Sequence, residues 1–110
     1  MISLLAADHK LRLFTDQDAL SVIFSGLDGC IFTPEDLHPD FFELANQLAG
    51  NVFQKFVNYR YSVAIVIEDI TAYGTRVEEL IQDHTSHPYI RFFTTIAAAE
   101  NWIKETRHQG

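Results

Sequence analysis

Apolar residues along this chain recur with two periods, every second residue in some stretches and near every 3.6 residues in others, and the alternation between them predicts a succession of strands and helices. Ile2 to Ala6 reads as a strand, Asp8-His9-Lys10 as a turn, and Leu11 to Phe14 as a second short strand, which together make an opening hairpin. Thr15 followed by Asp16-Gln17-Asp18 outlines a capping box. Behind it Ala19, Leu20, Ile23, Phe24 and Leu27 keep helical spacing to a stop near Gly29. Cys30 to Thr33 is a brief apolar strand ended by Pro34 and an acidic loop with Glu35 and Asp36.

Pro39 suits the first turn of a helix running from Asp40 to about Asn58. At 100° per residue its apolar positions, from Phe41 to Val57, cover about 220° of the circumference, so the helix is expected to be buried on more than one side. Ser62 to Ile67 is an aliphatic run of the kind covered on both faces in parallel sheets, which places it at the centre of the sheet. A shorter helix then carries Val77, Leu80 and Ile81 inward to about His84, and Tyr89 to Thr94 forms a further strand after Pro88. Thr95 can cap a final helix whose Ile96, Ala99 and Ile103 face the core, with Trp102 beside them.

The predicted order is β-β-α-β-α-β-α-β-α. Right-handed crossovers then make a mixed, mostly parallel sheet of four to five strands with helices packed on it. The layout is similar to that of STAS domains, the fold of anti-sigma-factor antagonists, and residues 1–110 read as a single α/β domain. A fold analogy of this sort carries no activity by itself.

Composition narrows the function classes. Hydrophobic residues make up 47% of the chain, with nine Phe and one Trp, enough to build a core without metals or disulfides. One cysteine, Cys30, cannot form an intrachain bridge, and the opening Met1-Ile2-Ser3-Leu4-Leu5-Ala6-Ala7 lacks a signal-like apolar region, so a cytoplasmic location is expected. No stretch is long enough to span a membrane. Eight Lys and Arg, scattered among fifteen Asp and Glu, give a formal charge of −7, which argues against a nucleic-acid partner.

From Leu37 to Arg60 the chain contains Phe41-Phe42-Glu43-Leu44, Leu48-Ala49-Gly50 and Gln54-Lys55-Phe56-Val57-Asn58-Tyr59-Arg60, followed by the Val-Ala-Ile-Val strand. This resembles the bacterial family called domain of unknown function 4180, whose pattern is Phe-Phe-x-Leu, Leu-Ala-Gly and Gln-Lys-Phe-x-Asn-Tyr-Arg. The chain departs from it at His38, where serine is common, and over Asp83-His84-Thr85-Ser86-His87, where a Glu-Ser-Asn-like segment is common. The resemblance implies a STAS-like α/β fold and leaves the activity open.

Candidate chemistry is sparse. The five glycines never cluster as a phosphate-cradling loop does. Cys30 falls on a predicted strand, where a buried thiol is inert. His84 and His87, with Asp83 alongside, have ligand-like spacing but lack the further ligands a zinc site needs, so no metal and no cofactor is expected. Glu35, Asp36 and Asp40 follow one strand, and Glu68 and Asp69 follow another. Both groups fall at the carboxyl ends of parallel strands, where α/β proteins bind ligands and where a cation or cationic partner could sit; complementing helix dipoles is the ordinary role of such carboxylates. Thr33, before Pro34, is the one hydroxyl near the serine that STAS antagonists phosphorylate, so phospho-regulation is not indicated.

At the other end of the sheet, Lys55, Asn58, Tyr59 and Arg60 finish one helix while Asp83, His84 and His87 finish the next. Both segments enter parallel strands, so the seven residues are expected to share one edge and form a ligand- or partner-binding cluster. Structural duties also fit them: Asn58 as a left-handed helix terminator, Lys55 and Arg60 complementing the helix end. The sequence therefore points to a non-enzymatic binding or regulatory module acting through an unknown protein partner or a small ligand, and it leaves room for a homo-oligomer. The alternative is a small enzyme with a carboxylate or histidine general base, for which no constellation is complete.

Overall fold

The computed structural model describes residues 3–43 and 47–109. Among these are three strands, β1 (Gly29–Phe32), β2 (Ser62–Val66) and β3 (Ile90–Phe93), and four α-helices, α1 (Asp18–Ile23), α2 (Leu48–Asn58), α3 (Thr75–Asp83) and α4 (Ile96–Gln109). The strands form one parallel sheet in the order β1-β2-β3, with Gly29 opposite Ser62 and Val63 opposite Ile90. The aliphatic run holds the centre as expected, and every residue of β2 is buried.

Because successive side chains on a strand point to opposite faces, the sheet sorts its apolar residues into two cores. Cys30, Phe32, Val63 and Ile65 meet Val22, Val52 and Phe56 beneath α1 and α2, with Leu80 and Ile81 of α3 packed against them. Ile31, Ala64 and Val66 meet Ala99, Trp102 and Ile103 of α4 on the other face. Gly29 allows α4 this approach, since a Cβ there would stand 2.7 Å from Ile103 Cγ2. Thr95 starts α4 as expected, its hydroxyl oxygen accepting the Ala98 N–H at 3.2 Å. The Trp102 ring is covered by the Arg91 guanidinium, 5.1 Å from the ring centroid.

The opening hairpin does not form. Ile2 lies outside the described residues, and Leu5 makes one parallel bridge to Ile31 and Leu13 one to Leu37. Between them, Ala6–His9 is a 3₁₀ turn closed by Lys10 in the left-handed region (φ 58°), with the Leu11 N–H reaching the Ala6 carbonyl at 2.9 Å. Donors spent inside this turn cannot build a ladder. The apolar residues also separate, Leu4 to the α4 face and Leu13 to the larger core. Among the described residues the sheet therefore has three strands rather than four to five, all parallel rather than mixed.

The long helix expected over 40–58 is also corrected. Its regular part is α2, and Gln47 before it has φ 62°, a conformation that ends a right-handed run. Pro39 instead enters a turn in which the Phe41 N–H donates to the His38 carbonyl at 2.8 Å; residues 44–46 lie outside the described part. The 220° arc belonged to two segments. Phe41 is buried against Phe53, while Phe42 packs against Tyr73 and Phe92. Likewise α1 ends at Ile23 rather than near Gly29, because Ser25 Oγ donates to the Val22 carbonyl at 2.6 Å and Gly26 turns the chain with φ 91°.

Candidate functional site

All three strands run the same way, so their carboxyl ends meet at one edge of the sheet, and the chain leaves that edge three times. After β1, Pro34–Asp36 forms a 3₁₀ turn entered by Thr33, whose N–H and hydroxyl both donate to Asp36 Oδ2 at 2.9 and 3.2 Å. That bonding buries Asp36 and leaves its neighbour Glu35 exposed. After β2, Asp69 caps a second 3₁₀ turn, Ile70–Tyr73, accepting the Thr71 N–H at 3.0 Å. After β3, Thr94 and Thr95 lead into α4.

These exits enclose a cleft of about 640 Å³, within the range of small-molecule sites, roughly 300–1,000 Å³. Val66, Ile67 and Pro34 supply apolar lining, and Tyr73 and Ile96, two of the large hydrophobic side chains the fold leaves exposed, stand at it. Thr33, Thr94 and Thr95 add hydroxyls. The charged lining is Glu35, Glu68 and Asp69, with no Lys, Arg or His. Asp69 is held below the usual carboxylate range by its bonds from the Thr71 hydroxyl and N–H. Glu35 and Glu68 make no hydrogen bond or ion pair among the described residues.

The residues predicted as a binding cluster lie at the opposite edge, where strands begin. Arg60 stands two residues before β2 and His87 three before β3, and these strands are neighbours. Within that edge the side chains turn to separate partners. Tyr59, 52% exposed, meets Phe24 edge-on at 5.6 Å, on the α1 side. His84 lies against Phe53 and Phe92, on the β3 side. No hydrogen bond or ion pair among the described residues joins Lys55, Asn58, Tyr59 or Arg60 to Asp83, His84 or His87. Asn58 is not the left-handed terminator. It is the last residue of α2 and accepts from Gln54 Nε2 at 2.9 Å, while Arg60 takes the left-handed conformation with φ 54°.

Each of the two histidines bonds to the backbone through Nδ1. His84 Nδ1 donates to the Leu80 carbonyl at 2.7 Å. His87 Nδ1 accepts the N–H groups of Tyr89 and Ile90 at 3.1 and 3.0 Å, so the lone pair a metal would need there is already engaged. Burial, then His84 and Arg91 nearby, hold the His87 imidazolium pKa below its ordinary value. Cys30 is buried in the core and burial pushes its thiol up to about 12, so it stays protonated at neutral pH. The Tyr61 hydroxyl is buried with no hydrogen-bond partner among the described residues.

The cleft residues other than the acids carried no sequence motif. Tyr73, Thr94, Thr95 and Ile96 qualify only by following strands, a signal that appears once the strand ends are known. The acids Glu35, Glu68 and Asp69 are legible at this edge from the sequence, where dipole complementation is their ordinary role.

Fold and cleft together define a small α/β domain with a three-stranded parallel sheet and a cavity at the carboxyl ends of its strands. The chain belongs to the family described as domain of unknown function DUF4180, whose model matches residues 4–103. No curated protein and no solved structure matches it. No helix among the described residues is long and apolar enough to cross a membrane.

Proposed function

We propose that this domain is a non-catalytic binding or regulatory module that holds a small ligand in the cleft at the carboxyl edge of its sheet. The observation that carries this is the cleft's position, since parallel sheets bind ligands outside the carboxyl ends of their strands. The resemblance to STAS domains read from the sequence suits a regulatory module but adds nothing about the ligand. Binding is favoured over catalysis because the cleft lining offers carboxylates and hydroxyls but no His, Cys or Lys to complete an acid–base or nucleophilic constellation. Titrating a chemically diverse fragment set into ¹⁵N-labelled protein tests the reading. Ligands should shift the amides of Thr33, Glu35, Ile67 to Asp69 and Thr94 to Ile96; shifts confined to other surfaces would overturn it.

A second reading has its own observation. Phe24 and Tyr59 form an aromatic pair, 70% and 52% exposed, next to Arg60. Exposed aromatics beside an arginine suit a protein partner offering an apolar side chain and a carboxylate. Replacing Phe24 and Tyr59 with Ser should leave fragment binding in the cleft unchanged and abolish such an association.

A further inference from the structure

Resting on the cleft reading above, we propose that the ligand is a small organic cation with an apolar body, an amine rather than an anion or a metal ion. The cavity is the primary observation, and its lining decides the class. Part of its wall is apolar: Ile67 is almost wholly buried beneath it, while Tyr73 and Ile96 remain 40% and 39% exposed at it. An occupant covering those two side chains removes apolar surface from water that the fold itself leaves uncovered.

The polar part of the lining is of one sign. Three carboxylates and no basic side chain surround the apolar wall, in a chain of net charge −7, so an anionic ligand would be repelled both locally and at a distance. The Thr71 bonds occupy one oxygen of Asp69 and leave the other as an acceptor, and Glu35 and Glu68 have both oxygens available. A bare metal ion would need these groups to converge. No group of three or more His, Cys, Asp or Glu side chains among the described residues is placed to hold one. Carboxylates spread around an apolar wall suit a bulkier cation, whose N–H donors reach acceptors several ångströms apart.

Three isosteric probes separate the classes: phenethylamine, phenethyl alcohol and phenylacetate, each titrated into ¹⁵N-labelled protein, with Mg²⁺ as a fourth titrant. Phenethylamine should shift the amides of Glu35, Glu68, Asp69 and Ile96 and bind about tenfold more tightly than the alcohol, as one screened ion pair provides, while phenylacetate leaves those amides in place. In the double variant Glu35→Gln, Glu68→Gln the amine should lose most of that tenfold advantage and the alcohol should bind unchanged. Both side chains are exposed, so the variant should fold; an unaltered melting curve checks this. Alcohol or phenylacetate binding the same amides as tightly as the amine would overturn the class and leave the cleft reading standing. Saturation of those amides by Mg²⁺ at micromolar concentration would overturn it in favour of a metal. If no probe shifts them, the amine class fails, and the broader fragment titration separately decides the cleft itself.

Discussion

The His87 imidazole begins β3 by accepting two backbone N–H groups on Nδ1, a role it can fill only while that nitrogen is unprotonated. Its pKa is lowered in the fold, chiefly by burial and then by His84 and Arg91, with Tyr89 the other titratable ring beside it. As pH falls, the unfolded chain takes up this proton first. The contribution to stability is therefore complete above the unfolded value of about 6.5 and is lost as pH drops through it toward the folded value. Urea midpoints at pH 7.5 and 5 should differ more in the native chain than in His87→Asn, whose amide oxygen can accept the same N–H groups without titrating. An equal fall in both would assign the effect to other groups. Tyr61 offers a second test at this scale. Its buried, unpartnered hydroxyl is a desolvated polar group, so Tyr61→Phe should leave stability unchanged or raise it by up to about 1 kcal/mol, read from the urea midpoint.

Between elements, the closest approach is that of α4 to the start of β1. Gly29→Ala would set a methyl against Ile103 Cγ2 and 3.2 Å from the Ser62 carbonyl, and backbone oxygen in a strand cannot retreat. The expected loss is about 1–3 kcal/mol in chemical denaturation; a neutral result would mean that α4 slides outward freely. Elements with a strong local signal were legible in the sequence: β2 from its aliphatic run, α3 from Val77, Leu80 and Ile81, and the start of α4 from Thr95. Those that failed did so where spacing looked regular but the partners diverged. Phe41 and Phe42 fit one helical face, yet they pack against different neighbours across a break at Gln47. Leu4 and Leu13 fall in the two short apolar segments that read as a hairpin, yet each belongs to a different core.

Over the whole molecule, charge and topology act together. A net charge of −7 and an exposed acidic rim make amine binding at the cleft sensitive to salt, since a Debye length shrinks from about 10 Å at 0.1 M to about 3 Å at 1 M. Phenethylamine affinity should therefore fall several-fold over that range while affinity for the neutral alcohol holds or strengthens, measured by the same amide titration. The sequence placed acids at the carboxyl edge but could not show that Tyr73 and Ile96 stand beside them. A cleft is made by three chain exits at once, and no single segment carries it. The family-like segment ending in Arg60 points to the opposite edge because its motif is local, whereas cavity residues are joined only by the winding of the sheet.

Arg60 stands in a left-handed conformation that glycine adopts freely and arginine adopts at a cost of about 1–2 kcal/mol. Alanine is therefore a poor probe of this position, because a methyl would retain the backbone penalty while the guanidinium is removed. Glycine separates the two. Arg60→Gly should raise the denaturation midpoint, and a chain that folds better without its arginine yet associates less well with a partner would reveal an exchange of stability for recognition at this residue.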